Sequence, residues 1–256
     1  MPVDSFPSVS AIYGFLLVLA RVSGVFAFVP LPGFQSSPRL ARIVLVVSIT
    51  LTLFPVWPRI DVGRADGPRM LLWILPELAV GVTIGLGVAF ILEVFLMAAQ
   101  ILSLNAGFSF AQTVDPTTQA ESGVLLVFGQ LAGGMVFLAL GLDREVIRTL
   151  AYSLETHPAG AWVSRPAAEA VLRLGGDMLA LAVRLALPAI ALLVLVDVAL
   201  GLLGRLNAQL QLLTLAFPIK MTAALVLLGW LSVLLPGLMA AYGGTVFGTL
   251  RRALRN

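Results

Sequence analysis

The chain reads as an all-α polytopic membrane protein of about six long, partly broken helices. Two observations point there. Of its 256 residues, 59% are hydrophobic and 11% charged, with a mean hydropathy of +1.02, whereas soluble domains average about 25% charged residues. Several apolar stretches also reach the roughly 20 residues that a bilayer crossing needs. Those from Ser122 to Leu142 and from Met221 to Leu250 carry no charge.

The first apolar segment, Ser8 to Val29, ends at the breaker Pro30-Leu31-Pro32-Gly33. The first twenty residues hold no Lys or Arg, and Asp4 is acidic. That is a poor basic start for a cleaved signal peptide, so the segment is expected to persist as a helix. The second runs from Leu40 to Phe54 and is closed by Pro55 and Pro58. The third runs from Arg69 to Leu104, interrupted by Pro76, Glu77 and Glu93. The fourth is Ser122 to Leu142. The fifth, Ala167 to Leu203, has Pro188 in its middle, and the sixth, Leu210 to Leu235, has Pro218 near its start.

The third and fifth segments overshoot one straight crossing. At about 1.5 Å per residue, roughly 36 residues reach about 54 Å, against a hydrocarbon core of about 30 Å. Such segments tilt and break, or part of the protein lies outside the bilayer. In the fifth, Glu169, Arg173 and Asp177 fall at helical i, i+4, i+8 spacing and can pair along one face. Two further stretches are not simple spans. Asn105 to Gln119 is rich in polar residues, with Asp115-Pro116 as a turn signal. Asp143 to Pro158 reads as an amphipathic helix, with Val146, Leu150 and Leu154 on one face and Arg144, Glu145 and Arg148 on the other.

With six spans and both termini cytoplasmic, the inner loops hold nine arginines (59, 64, 69, 144, 148, 165, 251, 252 and 255) and the outer loops three (39, 42 and 205). The positive-inside rule therefore favours a cytoplasmic C-terminus.

Composition excludes much chemistry. There is no cysteine and one histidine, His157, so disulfides, thiol catalysis and multi-histidine metal sites are out. The net charge of +3 is small and its basic residues are scattered, against a nucleic-acid surface. No phosphate loop, metalloprotease motif or nucleophile elbow is present. Ser109, Ser122 and Ser153 have no convincing partner base, and His157, before Pro158, reads as a loop residue at a helix end. Neither an enzyme nor a cofactor is expected.

The candidate functional residues are charges and aromatics where lipid or packed helices should be. From Leu206 to Leu250 the only charge is Lys220, the sole lysine, two residues after Pro218. A lone charge there is expensive and needs compensation. It either pairs with a carboxylate (Asp197 or Glu93) or with carbonyls freed by the proline, or it snorkels to an interface. Glu77 and Glu93 flank Gly81, Gly85 and Gly87, small residues that permit close helix packing. The glutamates read as an ion pathway or, more simply, as buried structural contacts. Gly107-Phe108-Ser109-Phe110 places aromatics beside a flexible glycine, either as a plain surface loop or as a constriction where irregular backbone lines a cavity.

These pieces together resemble the FliR family of type III secretion export-gate subunits, flagellar and injectisome. The motifs are Arg21 followed by Pro30 to Gly33, Pro38 and Arg39; then Ala106-Gly107-Phe108, Ala111 and Asp115-Pro116; then Gln209-Leu210 and Phe217-Pro218-Ile219-Lys220. They occur in order over nearly the whole chain. The resemblance implies an assembly subunit of the bacterial inner membrane, at the flagellar basal body. It would join FliP-like and FliQ-like membrane proteins and a FlhB-like switch protein in a raised, helical gate for unfolded proteins. It also implies an N-terminal helical region over 1–165 and a C-terminal helical hairpin with a basic tail over 166–256. The plug-like loop maps onto 106–116, with Gly107, Phe108, Phe110, Asp115 and Pro116 as its residues. Glu77, Glu93, Asp197, Gln209, Pro218 and Lys220 become candidate assembly contacts, as does Asp177. A secondary transporter for a small solute is the competing reading. It requires repeats with matched broken helices, and Pro76, Pro188 and Pro218 form no clear repeat.

Overall fold

The computed structural model describes residues 9–29, 38–58, 67–107, 124–206 and 212–255. Among these residues there are seven α-helices and one 3-10 turn, and no strand. The helices are α1 (Val9–Phe28), α2 (Arg39–Thr52), α3 (Gly67–Ala106), α4 (Val124–Ala139), α5 (Leu142–Thr156), α6 (Arg165–Leu206) and α7 (Leu212–Arg255). Each expected apolar segment is a helix, and the amphipathic stretch supplies α5.

The described residues hold up to five candidate spans if α4 and α5 form one broken span. Among the described residues four helices, α1, α3, α6 and α7, are by themselves long and apolar enough to cross a membrane. The 14 residues of α2 and 16 of α4 rise only about 21 and 24 Å. The sixth segment also runs on past Leu235: α7 has 44 residues and contains both Pro218 and Pro236. A proline removes one backbone donor and kinks a helix, but an apolar surrounding offers the backbone no partner other than the helix itself, so the helix resumes. At 40, 42 and 44 residues, α3, α6 and α7 are each about 60 Å or longer, about twice the hydrocarbon thickness.

The chain divides into two compact units, each discontinuous in sequence. One comprises 1–90, 141–175 and 242–256, and the other 91–140 and 176–241.

In the first unit, α1 and α3 cross at glycines. A Cβ on Gly24 would lie 2.6 Å from the Leu78 carbonyl oxygen, and one on Gly85 2.6 Å from that of Val25. At Gly81 it would collide with the Arg21 carbonyl oxygen. The sequence pattern of small residues thus becomes backbone-to-backbone contact. The chain after α2 folds back through a 3-10 turn, Phe54–Val56, with Pro55 at its start. Trp57 donates its indole N–H to the Thr50 carbonyl (2.9 Å) and packs its ring on Phe15 and Phe54. Helix α5 buries Val146, Leu150 and Leu154, the face its periodicity marks as apolar. It begins at Gly141, whose φ of 67° is left-handed and suits a residue without Cβ.

In the second unit, α4 packs on α3 through Gly129, beside Phe95 and Leu96, and Gly133, beside Leu92. The α6 and α7 portions keep many large aliphatic side chains exposed, among them Leu195, Val198, Val226 and Val233.

Candidate functional site

Charged residues inside the apolar helices fall into separate clusters. In the first unit, Arg21 of α1 and Glu77 of α3 are 1% and 2% exposed. Arg21 Nε donates to Glu77 Oε2 at 2.6 Å, and its Nη1 donates to the Ser153 carbonyl (2.6 Å) and hydroxyl (3.2 Å) at the end of α5. Glu77 Oε1 accepts the backbone N–H of Gly160 at 2.9 Å. Gly160 has φ 75° and lies against the Trp73 ring, where a Cβ would come within 2.7 Å of Cγ. One ion pair therefore ties α1, α3, the end of α5 and the following loop together. Glu77, a candidate contact between subunits, is placed inside its own chain with both oxygens engaged.

In the sequence Arg21 stands out only as a family motif residue. A signal for its role is nonetheless there: Arg21 and Glu77 are lone charges in apolar stretches, and such charges need each other. Ser153, for which the sequence offers no partner base, serves as an acceptor for Arg21. Gly160 carries no sequence signal, because its importance lies in a backbone N–H.

A second cluster holds the end of α7. Glu145 of α5 pairs with Arg148 (2.6 Å) and with Arg251 (2.5 Å). Helix α5 is amphipathic, and its Arg144 and Arg148 are among the arginines expected in an inner loop, outside the lipid. The Arg148 hydrogen bond holds the Glu145 carboxyl below the usual carboxylate range; partial burial opposes this, and Arg251 adds to the lowering. On α6, Glu169 pairs with Arg165 (3.0 Å) and more loosely with Arg173 (4.0 Å); of the expected Glu169, Arg173 and Asp177 ladder only the first step forms, and Asp177 makes no ion pair among the described residues.

In the second unit, Lys220 Nζ lies 2.5 Å from Asp197 Oδ1. Of the two carboxylates open to Lys220 in the sequence, the structure brings together Lys220 and Asp197. Glu93, half-buried on α3, forms no ion pair among the described residues. The Asp197–Lys220 pair joins α6 to α7 two residues beyond Pro218, the proline that marks this stretch in the sequence. Beside it runs a groove of about 630 Å³, lined on α6 by Leu192, Leu193, Leu195 and Val196 and on α7 by Pro218, Ile219, Thr222, Ala223, Val226 and Leu227. The Thr222 hydroxyl donates back to the Pro218 carbonyl (2.7 Å), leaving the groove almost wholly aliphatic.

Of the expected plug residues, Gly107 ends α3 with φ 84°, a left-handed stop. Phe108, Phe110, Asp115 and Pro116 lie outside the described residues, as does Gln209.

A family model described as bacterial export proteins, family 1, matches residues 12–245. The chain is 28% identical over 219 residues to the flagellar biosynthetic protein FliR of Escherichia coli (strain K12), covering 85% of this chain and 83% of that one. It is 28% identical over 234 residues to the FliR protein of Pectobacterium carotovorum subsp. carotovorum (91% and 89% covered). Over 230 residues it is 25% identical to that of Bacillus subtilis (strain 168), with 88% and 86% covered.

Proposed function

The chain belongs to the bacterial export proteins, family 1, and from that premise we propose that it is a gate subunit through which unfolded flagellar proteins leave the cytoplasm. At the coarser level it is an integral membrane component of a type III export apparatus, a structural part of secretion rather than an enzyme. The single observation that carries the reading is the family match from residue 12 to residue 245. It reaches from α1 into α7.

In this proposal one chain assembles with FliP-like and FliQ-like membrane proteins and docks a FlhB-like switch protein in the inner membrane at the flagellar basal body. The C-terminus faces the cytoplasm, as the arginine distribution favours. Helices about twice as long as the bilayer core suit a gate that rises out of the membrane plane. The loop near 106–116, starting from the Gly107 stop of α3, supplies the constriction, with Phe108 and Phe110 as its bulk. A passage wide enough for an unfolded chain must be sealed when idle, and aromatic side chains exclude water with few rotatable bonds. Glu93, Asp177, Asp197, Gln209, Pro218 and Lys220 are proposed to lie at contacts between subunits.

The test is deletion and purification. Deleting the gene should abolish filament assembly, and a tagged full chain should copurify from membranes with two small polytopic proteins. A chain that purifies as a homogeneous homodimer, or a deletion strain that still assembles filaments, would overturn the proposal.

A further inference from the structure

We infer that the basic surface formed by α5 and the end of α7 docks an acidic segment of a partner protein. That segment carries separate carboxylates, which meet Arg144 and Arg148 on one side and Arg251 and Arg255 on the other. This goes beyond the gate proposal, and neither helix has to lie in lipid for it to hold.

Both helix portions belong to one compact unit. Glu145 of α5 binds Arg148 and Arg251. It thereby sets two arginine pairs at i, i+4 spacing beside each other, Arg144 with Arg148 on α5 and Arg251 with Arg255 on α7. Arg148 is 71% exposed and Arg251 38%, and Arg144 and Arg255 are exposed. Arg144 and Arg255 form no ion pair among the described residues. Glu145 is already shared between two arginines. Even with Asp143 of the same helix turn counted, four arginines stand against two carboxylates. The rest of α7 offers no relief, because the sequence holds no Asp or Glu after Asp197. Helix dipoles account for part of this charge. Arg252 and Arg255 lie in the last turn of α7, where a cation is favoured. Arg144 lies in the first turn of α5, where a cation is disfavoured, so it does not serve its own helix.

The charge selects an anion, and the layout selects its form. Glu145 stands among the arginines and repels a lone anion placed between them. An occupant must straddle it with separate negative groups, as the Asp and Glu side chains of an acidic segment do. The planar fork of arginine also matches a carboxylate with two parallel N–H donors. An anionic bilayer surface fits less well. Helix α5 keeps its apolar face, Val146, Leu150 and Leu154, inside the protein, so that face is not free to sink into a membrane interface.

The experiment uses the full chain in its native membrane, with a photo-crosslinking amino acid in place of Ile147, which is 40% exposed between Arg144 and Arg148. The adduct identified by mass spectrometry should be a protein segment in which Asp and Glu flank the crosslink. Arg144→Glu with Arg255→Glu breaks no ion pair inside the chain and should lower the yield about tenfold. Arg144→Lys with Arg255→Lys keeps the charge and should hold the yield within about threefold. Changing the acidic residues of the captured segment to Lys should restore the yield of the Glu variant. In isolated membranes, raising the ionic strength from about 0.1 M to about 1 M shortens the screening length from about 10 Å to about 3 Å and should lower the yield as well. The salt arm decides the matter if the Glu variant fails to accumulate. Phospholipid or nucleic-acid adducts alone, a captured segment without acidic residues, no adduct, or a yield indifferent to charge reversal and salt would overturn the inference. Filament assembly in the deletion strain tests the gate reading separately, so the two can fail independently.

Discussion

Arg21 and Glu77, 56 residues apart, meet at 2.6 Å with both side chains removed from solvent. Their remaining polar atoms are matched by polarity: the guanidinium reaches the Ser153 carbonyl, and the carboxylate accepts from the Gly160 N–H. The Asp197–Lys220 pair has no such additional matching among the described residues. The two ion pairs should therefore respond differently to the same manipulation.

Glu77→Ala leaves a buried guanidinium unpaired and the Gly160 N–H without an acceptor. Removing one partner of a buried pair costs about 3–5 kcal/mol, on the order of a 10 °C drop in melting temperature for a chain of this size. Exchanging the charges (Arg21→Glu with Glu77→Arg) should not rescue stability, because the carboxylate would then face the Ser153 carbonyl and the guanidinium the Gly160 N–H. Arg21→Met with Glu77→Gln should recover most of the loss, since the amide oxygen still accepts from Gly160. Thermal unfolding of the purified chain in detergent is the measurement. Full rescue by the charge exchange would show that the backbone partners do not matter.

Gly81→Ala tests the helix crossing. The added methyl runs into the Arg21 carbonyl, and backbone cannot rotate away as a side chain can. Forcing α1 and α3 apart should cost about 1–3 kcal/mol and strain the neighbouring ion pair. Gly176→Ala on α6 meets nothing within 4 Å and should be neutral or stabilising by about 0.4–1 kcal/mol, because alanine restricts the unfolded chain. Equal melting temperatures for the two variants would contradict the packing described.

Helix positions are legible in the sequence because hydropathy and periodicity are local. The amphipathic face of α5 and the small residues of α3 both appear in the structure at those positions. The end of α7 is not, because Pro236 looks like a terminator, and a proline's cost is easily outweighed where lipid leaves the backbone no alternative partner. Lys220 is recognisable as needing compensation, but choosing Asp197 over Glu93 requires knowing which helices lie side by side. Arg21 with Glu77 depends on an α1–α3 crossing fixed by Gly24 and Gly81, a long-range fact that no local window contains. Gly160 acts through its main chain and is invisible in the sequence.

The aromatic loop gives a prediction about permeability. If Phe108 and Phe110 supply the bulk of the seal, Phe108→Ala with Phe110→Ala should raise the ion conductance of cells that assemble the apparatus while leaving subunit levels unchanged. The effect should vanish when the partner membrane proteins are absent, because no pore then forms. Conductance indistinguishable from wild type in fully assembled complexes would reject the seal.

The attachment of the α7 end to α5 should depend on pH. Glu145 binds Arg148 and Arg251, and its carboxyl is held below the usual range, first by the Arg148 hydrogen bond. A carboxyl with a lowered folded-state pKa contributes stability that is fully present above its unfolded value of about 4.3. That contribution is lost as pH falls through the folded value. Hydrogen exchange at 242–255 should therefore be slow at neutral pH and accelerate, relative to the intrinsic rate, below about pH 4. Glu145→Gln should show the faster relative exchange already at neutral pH, with little further change on acidification. An acid response of the same size in Glu145→Gln and wild type would assign it to other carboxylates and remove Glu145 from the attachment.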